Sequence, residues 1–356
     1  MTRTCCYTSF TYSYLARARI LMQTLRHAQP DWDIWALVPD EPPPGTDGPA
    51  LLAGFDGVLG LDDLAVPGVR SWLFGHDLIE ACTALKAAAM LQLMDRGYDQ
   101  VIYLDPDIAV FHPLAPALDA AGSASIVLTP HQAAPNWQPA VIEDCERASL
   151  RFGVFNMGFV AVRADAAGRA FASWWAAQVH AACLDAPDSG IFTDQKYADL
   201  VPCLFPGVAV LRDPGCNVAS WNLSARRLCI GQDGGITADG APLRFFHFSK
   251  AGGIGDAMIR RYAWDTAVPL ELLAWYKDEL ARQTAVAMVP PGWWAYGQYA
   301  DGTPVMPAAR RLYSNRHDVS AYFPEPYGSG SGSLQEWLGA HEPDCLSAIP
   351  AATAVP

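Results

Sequence analysis

The chain is expected to be an α/β protein with a mostly parallel central sheet flanked by helices. Apolar runs rich in β-branched and aromatic residues alternate with segments of helical periodicity. A strand, a helix and a second strand fall within the first forty residues, as at the start of a βαβ unit. Hydrophobic residues make up 51% of the chain and charged ones 17%, enough for a sizeable core and against extensive disorder. At 356 residues, one large α/β domain with an appendage fits, as do two modest domains.

The elements follow in order. "TCCYTSF" at 4–10 reads as a short strand. Tyr14, Ala18, Leu21, Met22 and Leu25 then recur at helical spacing with arginines on the other face. "DIWALVPD" at 33–40 is the next strand, closed by "EPPPGTDG". A helix is predicted from Asp77 to Arg96, ending at Gly97 where a C-terminal glycine belongs. It leads into the strand "QVIYLD". Further strands are expected at 125–130, 158–163, 208–213 and 244–249, with helices over 165–184 and much of 258–288. There is no internal repeat.

Near residue 289 the composition changes. "VPPGWWAYGQYADGTPV" and "YFPEPYGSGSGSLQEWL" are aromatic and dense in turn residues. The expected division is a core at 1–288, an aromatic cap or extension at 289–340, and a disordered tail at 341–356.

Charge and cysteine usage exclude several classes. A net charge of −13 without a dense basic cluster speaks against nucleic acid. The only lysines are Lys86, Lys196, Lys250 and Lys277, so an anionic ligand would need local groups or a metal. Nine cysteines, an odd number without a CxxC pair, fit reduced thiols better than disulfides or zinc. The N-terminus lacks a continuous apolar stretch and no run of eighteen apolar residues exists. The expectation is a cytoplasmic protein without a transmembrane segment, at most peripheral at the inner face of the membrane.

The chemistry concentrates at "YLDPDI". In open α/β sheets, ligands gather at the C-terminal ends of strands. Asp105 and Asp107 stand at such an end, on one turn stiffened by Pro106. Hard divalent cations take carboxylate oxygens, often shared with substrate phosphates. By itself the pattern also suits a solvated turn. His247 alone reads as a core histidine, and Lys86 as a solvated helix face, although its neighbours are mostly alanine, leucine and methionine.

"KAAAMLQLMDRGYDQVIYLDPDIAVFHPL" at 86–114 resembles a stretch of GT-A glycosyltransferases, in particular the retaining family-eight-like enzymes. "FNMGFVAVR" at 155–163, "TDQKYADLV" at 193–201, "CNVASWNLS" at 216–224 and "RFFHFS" at 244–249 match in the same order. The likeness covers about residues 3–260. It implies a GT-A fold and a transfer, with retention, from a nucleotide-sugar donor, a UDP-sugar by default. The acceptor would be a hydroxyl on a glycan, lipid-linked or protein-linked, in bacterial glycan or polysaccharide biosynthesis.

By resemblance, Asp105, Asp107 and His247 would hold Mn2+ or Mg2+. Thr8, Ser9 and Tyr14 would line base and ribose, and Asp105 would also face the ribose. Lys86 would reach the nucleotide-sugar and Lys250 the diphosphate, although "HFSKAGGIGD" departs from the family's His-x-x-Gly-x-x-Lys-Pro-Trp. Asn156, Asp194 and Gln195 would stand at the donor sugar and its reacting carbon. Read only from the residues, Asn156 also suits a turn, and Asp194 an N-cap. Asn217, Asn222 and Trp221 are further candidates for sugar contacts. The alternatives are a sugar nucleotidyltransferase, disfavoured because the N-terminal segment has no Gly-rich loop, and a non-catalytic carbohydrate-binding protein.

Overall fold

A computed structural model describes residues 2–347. Its centre is a seven-stranded sheet built from β1 (Thr4–Ser9), β2 (Asp33–Leu37), β3 (Gly57–Leu59), β4 (Gln100–Leu104), β6 (Ile126–Pro130), β7 (Phe155–Arg163) and β8 (Val208–Val210). The spatial order is β8-β6-β7-β4-β1-β2-β3. All neighbours pair parallel except β7, which runs antiparallel to β4 and β6. The expected mostly parallel α/β sheet is the one found.

Side-chain alternation divides each central strand between two cores. Tyr7, Val101, Tyr103, Leu128 and Val160 face α3 (Lys86–Asp95) and α4 (Ala166–Ala181), packing on Met90, Leu93, Phe171 and Trp175. Cys6, Ile102, Leu104, Val127 and Phe159 face the other way, onto Leu21, Met22 and Leu25 of α1 (Leu15–Ala28). Both faces are covered, which is why these strands read as continuous apolar runs.

The helix expected over 77–96 is two, α2 (Leu78–Ala84) and α3, separated at Leu85. Asp77 opens α2 with a capping box, its carboxylate accepting from the Glu80 amide while Glu80 accepts from the Asp77 amide. Gly97 follows α3 at φ +87, the left-handed conformation a helix stop requires. The second long helix likewise divides, into α5 (Ile254–Tyr262) and α6 (Val268–Ala287).

The strand expected at 244–249 does not join the central sheet. β10 (Phe245–His247) lies in a separate three-stranded sheet, between β9 (Val218–Ala219) and β5 (Ile108–Val110). The Asp105–Asp107 turn therefore links the large sheet to the small one. β10 runs antiparallel to β5 with His247 opposite Ile108, and the Phe248 amide donates to the Asp107 carbonyl. Residues far apart in sequence meet at this junction.

After Ala287 the chain forms α7 (Pro307–Asn315), α8 (His317–Tyr322) and α9 (Leu334–His341) around a core of Tyr299, Tyr313, Phe323, Leu334 and Leu338. Phe74 inserts from the main body and meets Tyr299, Tyr313 and Tyr327. Pro343–Leu346, expected in the tail, form a short 3-10 turn, and 348–356 lie outside the described residues. All nine cysteines are free, with Cys203 exposed. No helix among the described residues is long and apolar enough to cross a membrane.

Candidate active site

At the C-terminal end of β4, Asp105, Asp107 and His247 come together, one ligand atom from each lying within 4.8 Å of the others. His247 Nε2 is 2.9 Å from Asp107 Oδ1 and 3.8 Å from Asp105 Oδ2. Asp107 is held below the usual carboxylate range: burial works against this, and the His247 charge prevails. The His247 imidazole is raised, its burial penalty overcome by Asp107.

The two oxygens of Asp105 face different neighbours. Oδ1 accepts from the Tyr103 hydroxyl at 2.6 Å and lies 3.3 Å from Lys86 Nζ. Oδ2 faces His247. Lys86 is buried at the start of α3, where the Tyr7 hydroxyl donates to its carbonyl. Its ammonium also lies 3.1 Å from Asp194 Oδ2, 3.3 Å from the Met157 carbonyl and 4.3 Å from the centroid of the Tyr103 ring. Burial pulls Lys86 down, but Asp105 and Asp194 outweigh it and the ammonium stays charged. Burial pushes Asp194 up, Lys86 opposing and Asp105 adding. Asp194 caps no helix. It accepts from Thr193 Oγ1, and Thr193 is a β-branched residue at φ +44, a strained conformation beside the cluster.

A register shift in the β6–β7 ladder builds the opposite wall. Leu128 pairs with Val160 but Thr129 with Asn156, so Met157–Phe159 are extra residues on β7. Asn156 thus belongs to a bulged strand and not to a turn. A Cβ on Gly158 would lie 2.6 Å from His247 Cε1, 2.7 Å from Asp105 Oδ2 and 2.8 Å from Asn156 Oδ1. Only glycine lets the strand approach the ligand atoms this closely.

The donor set of two carboxylates and one imidazole fits a hard or borderline divalent cation. Gly158, lacking a Cβ, keeps the strand from pressing a side chain into the ligand atoms. Asp105, Asp107 and His247 are the residues that would hold such an ion.

The remaining expected residues divide by how their polar atoms are used. Thr8 Oγ1, at the end of β1, is buried without a hydrogen-bond partner among the described residues. Ser9 Oγ donates to the Cys82 carbonyl at 2.8 Å. Tyr14 is 36% exposed with the Arg17 guanidinium 4.7 Å over its ring. Lys250 is exposed at φ +53 in the turn before α5. Asn156 and Gln195 are buried and bonded to each other, Asn156 Nδ2 donating to Gln195 Oε1 at 3.3 Å. Asn222 ties the 216–222 loop together by accepting from the Ala219 amide and donating to the Asn217 carbonyl. Asn217 Oδ1 and Trp221 Nε1 are buried without hydrogen-bond partners among the described residues, and the Trp221 ring stands edge-on to His247 at 5.1 Å.

Sequence reasoning passed over His131 and Tyr103. His131 directly follows β6, so the strand-end rule that singled out Asp105 applies to it equally. Tyr103 is hidden in sequence because an aromatic inside a buried strand reads as core.

No family model matches the chain. It is similar to two uncharacterized proteins of Bacillus subtilis (strain 168), YfnF at 28% identity over 177 residues and YfnD at 30% over 179. These stretches are 49% and 48% of this chain and 57% and 53% of those proteins, so the chain spans about half the length of the curated relatives it matches. Among solved structures it is similar to the galactosyltransferase LgtC in complex with donor and acceptor sugar analogues. There the TM-score is 0.43 at 15% identity, covering 78% of this chain and 95% of that one. Mouse xyloside xylosyltransferase 1 follows, with a TM-score of 0.41 at 17% identity, covering 69% and 98% respectively. The bifunctional glycosyltransferase WbbM is a third, with a TM-score of 0.44 at 14% identity, covering 80% and 52%.

Proposed function

We propose that this chain is a metal-dependent glycosyltransferase of the GT-A fold. It would move a sugar from a nucleoside-diphosphate donor to a hydroxyl acceptor with retention of configuration. The observation that carries this reading is the Asp105–Asp107–His247 cluster at a strand end, beside the buried Lys86–Asp194 pair. A divalent cation bound there would supply Lewis-acid stabilisation to the departing diphosphate.

The chain's own groups then have distinct tasks. Tyr103 and Lys86 hold Asp105 Oδ1, which keeps Oδ2 turned toward His247. Lys86 also offsets Asp194, so the buried Asp194 and the half-buried Asp105 coexist close together. Thr8 Oγ1 offers an unused hydroxyl to the nucleotide, and Tyr14 a partly exposed ring to the base. Ser9 lines the same strand end through its backbone, its hydroxyl being engaged. Lys250 would reach the diphosphate from its turn. Asn156 and Gln195 shape the wall on the donor-sugar side, and Asn217 and Trp221 keep free polar atoms for sugar hydroxyls. Residues 1–288 would form the donor-binding core and 289–340 the cap.

Calorimetry with uridine diphosphate, with and without manganese, tests the reading. Binding that strengthens with the metal is expected. Metal-independent binding, or none with any common nucleoside diphosphate, overturns it. Hydrolysis of a panel of nucleotide-sugars would then identify the donor.

A further inference from the structure

We infer that His131 is a positioning residue which, through Asn156, keeps His247 Nδ1 a hydrogen-bond donor and so leaves Nε2 as the nitrogen turned to Asp105 and Asp107. The inference rests on the proposed metal site for its purpose, but its geometry stands independently.

Three backbone groups around the pair have a fixed hydrogen-bonding polarity. The Gly153 carbonyl can only accept, so His131 Nδ1, 2.9 Å away, carries a proton. Burial pulls the His131 pKa down to about 4, so the ring is neutral and its Nε2 is an acceptor. The Phe152 carbonyl accepts from Gln195 Nε2 at 3.0 Å, and the Met157 amide donates to Gln195 Oε1 at 3.2 Å. Between them these two groups fix which way the Gln195 amide points.

Asn156 consequently meets two acceptors on one side, Gln195 Oε1 at 3.3 Å and His131 Nε2 at 3.4 Å. Its NH2 must point there. Its Oδ1 then faces His247 Nδ1 at 3.3 Å, and that nitrogen must be the donor. The other nitrogen, Nε2, lies 2.9 Å from Asp107 Oδ1, to which it donates in the metal-free protein, and it is the nitrogen a cation would take. A metal-ligating histidine is generally held this way, with the non-ligating N–H given to a fixed acceptor. Trp221, edge-on to His131 at 5.3 Å and to His247 at 5.1 Å, packs against both rings. Asn156 is thus committed at both ends of its amide, which assigns it to orienting His247.

The test uses His131→Phe, which keeps a ring but removes the acceptor, and His131→Gln, which can donate to Gly153 and accept from Asn156. Mn2+ alone is titrated by electron paramagnetic resonance, and the His247 Nδ1–H is followed by 1H–15N correlation in the metal-free protein. His131→Phe should weaken Mn2+ binding about tenfold and exchange-broaden the His247 Nδ1–H resonance. His131→Gln should restore both. If His131→Phe does not fold, Gln195→Leu removes the other acceptor and should broaden the same resonance. Unchanged Mn2+ affinity and a sharp resonance in His131→Phe overturn the inference, as does an equal loss in His131→Gln, which would mark a role of shape only. A wild type that binds no Mn2+ counts against the proposed metal site, and the Nδ1–H resonance still decides the role of His131.

Discussion

Two regions bury charged groups in different ways. Where the C-terminal segment meets the main body, Arg310 donates to the Phe74 and Tyr296 carbonyls and stacks 4.7 Å from the centroid of Trp294. Nearby Glu80, fully buried, accepts from the Asp77 and Asp185 amides and from Arg311. Each charge is matched by groups of opposite polarity. At the end of β4 the pattern is lopsided: Asp105, Asp107 and Asp194 crowd together, with Lys86 and His247 as the nearby cations. A saturated network holds elements together, whereas a carboxylate-rich one has capacity left for a cation.

The largest expected effect is at the second region. Asp107→Ala removes a ligand, so metal-linked nucleotide binding should weaken by more than the roughly 100-fold that a supporting residue can cost. Circular dichroism should be unchanged, and retained metal-linked binding would break the contrast. The counterpart is Glu80→Ala, which leaves Arg311 and two amides without their acceptor. It should lower stability by about 3 kcal/mol in urea unfolding while metal-linked binding persists.

Gly158→Ala is intermediate. Its new Cβ meets His247, Asp105 and Asn156 at under 3 Å, so the site must shift. A stability loss of about 1–3 kcal/mol is expected, with weaker Mn2+ affinity by calorimetry. Acid unfolding sharpens the comparison further. Burial alone would raise Glu80, but its amide partners and Arg311 leave it below its ordinary pKa of 4.5. Its stabilisation is therefore fully present above that pH and is lost as the pH falls through the lower folded value. Glu80→Gln should flatten this acid limb of the stability curve. The smallest effect belongs to Tyr322, 78% exposed on α8, where alanine should change stability by under about 0.5 kcal/mol.

Much of the fold was legible because buried strands announce themselves by composition. "QVIYLD" and "FVAVR" have few other uses, and both became central strands. β3 was missed because three residues give no periodicity to read. The helix predicted over 77–96 hid its break at Leu85, since both halves are rich in helix formers. The Asp105–Asp107 turn was recognisable from a strand-end rule and a family resemblance. That Lys86 would be enclosed between Asp105 and Asp194 was not, because a lysine on an alanine-rich helix face gives no sign of a partner 108 residues away.

The sequence by itself determined the α/β architecture, the turn that carries both aspartates and the aromatic change of composition near residue 289. Those are local properties, fixed by periodicity and turn chemistry over a few residues. The tertiary structure decided that β10 leaves the central sheet to pair with β5, which sets His247 beside Asp107. It also decided that the β7 bulge brings Gly158 and Asn156 against that pair. Strand register and bulges join residues with no sequence proximity, so the direction of each donor and acceptor in the site exists only in the folded chain.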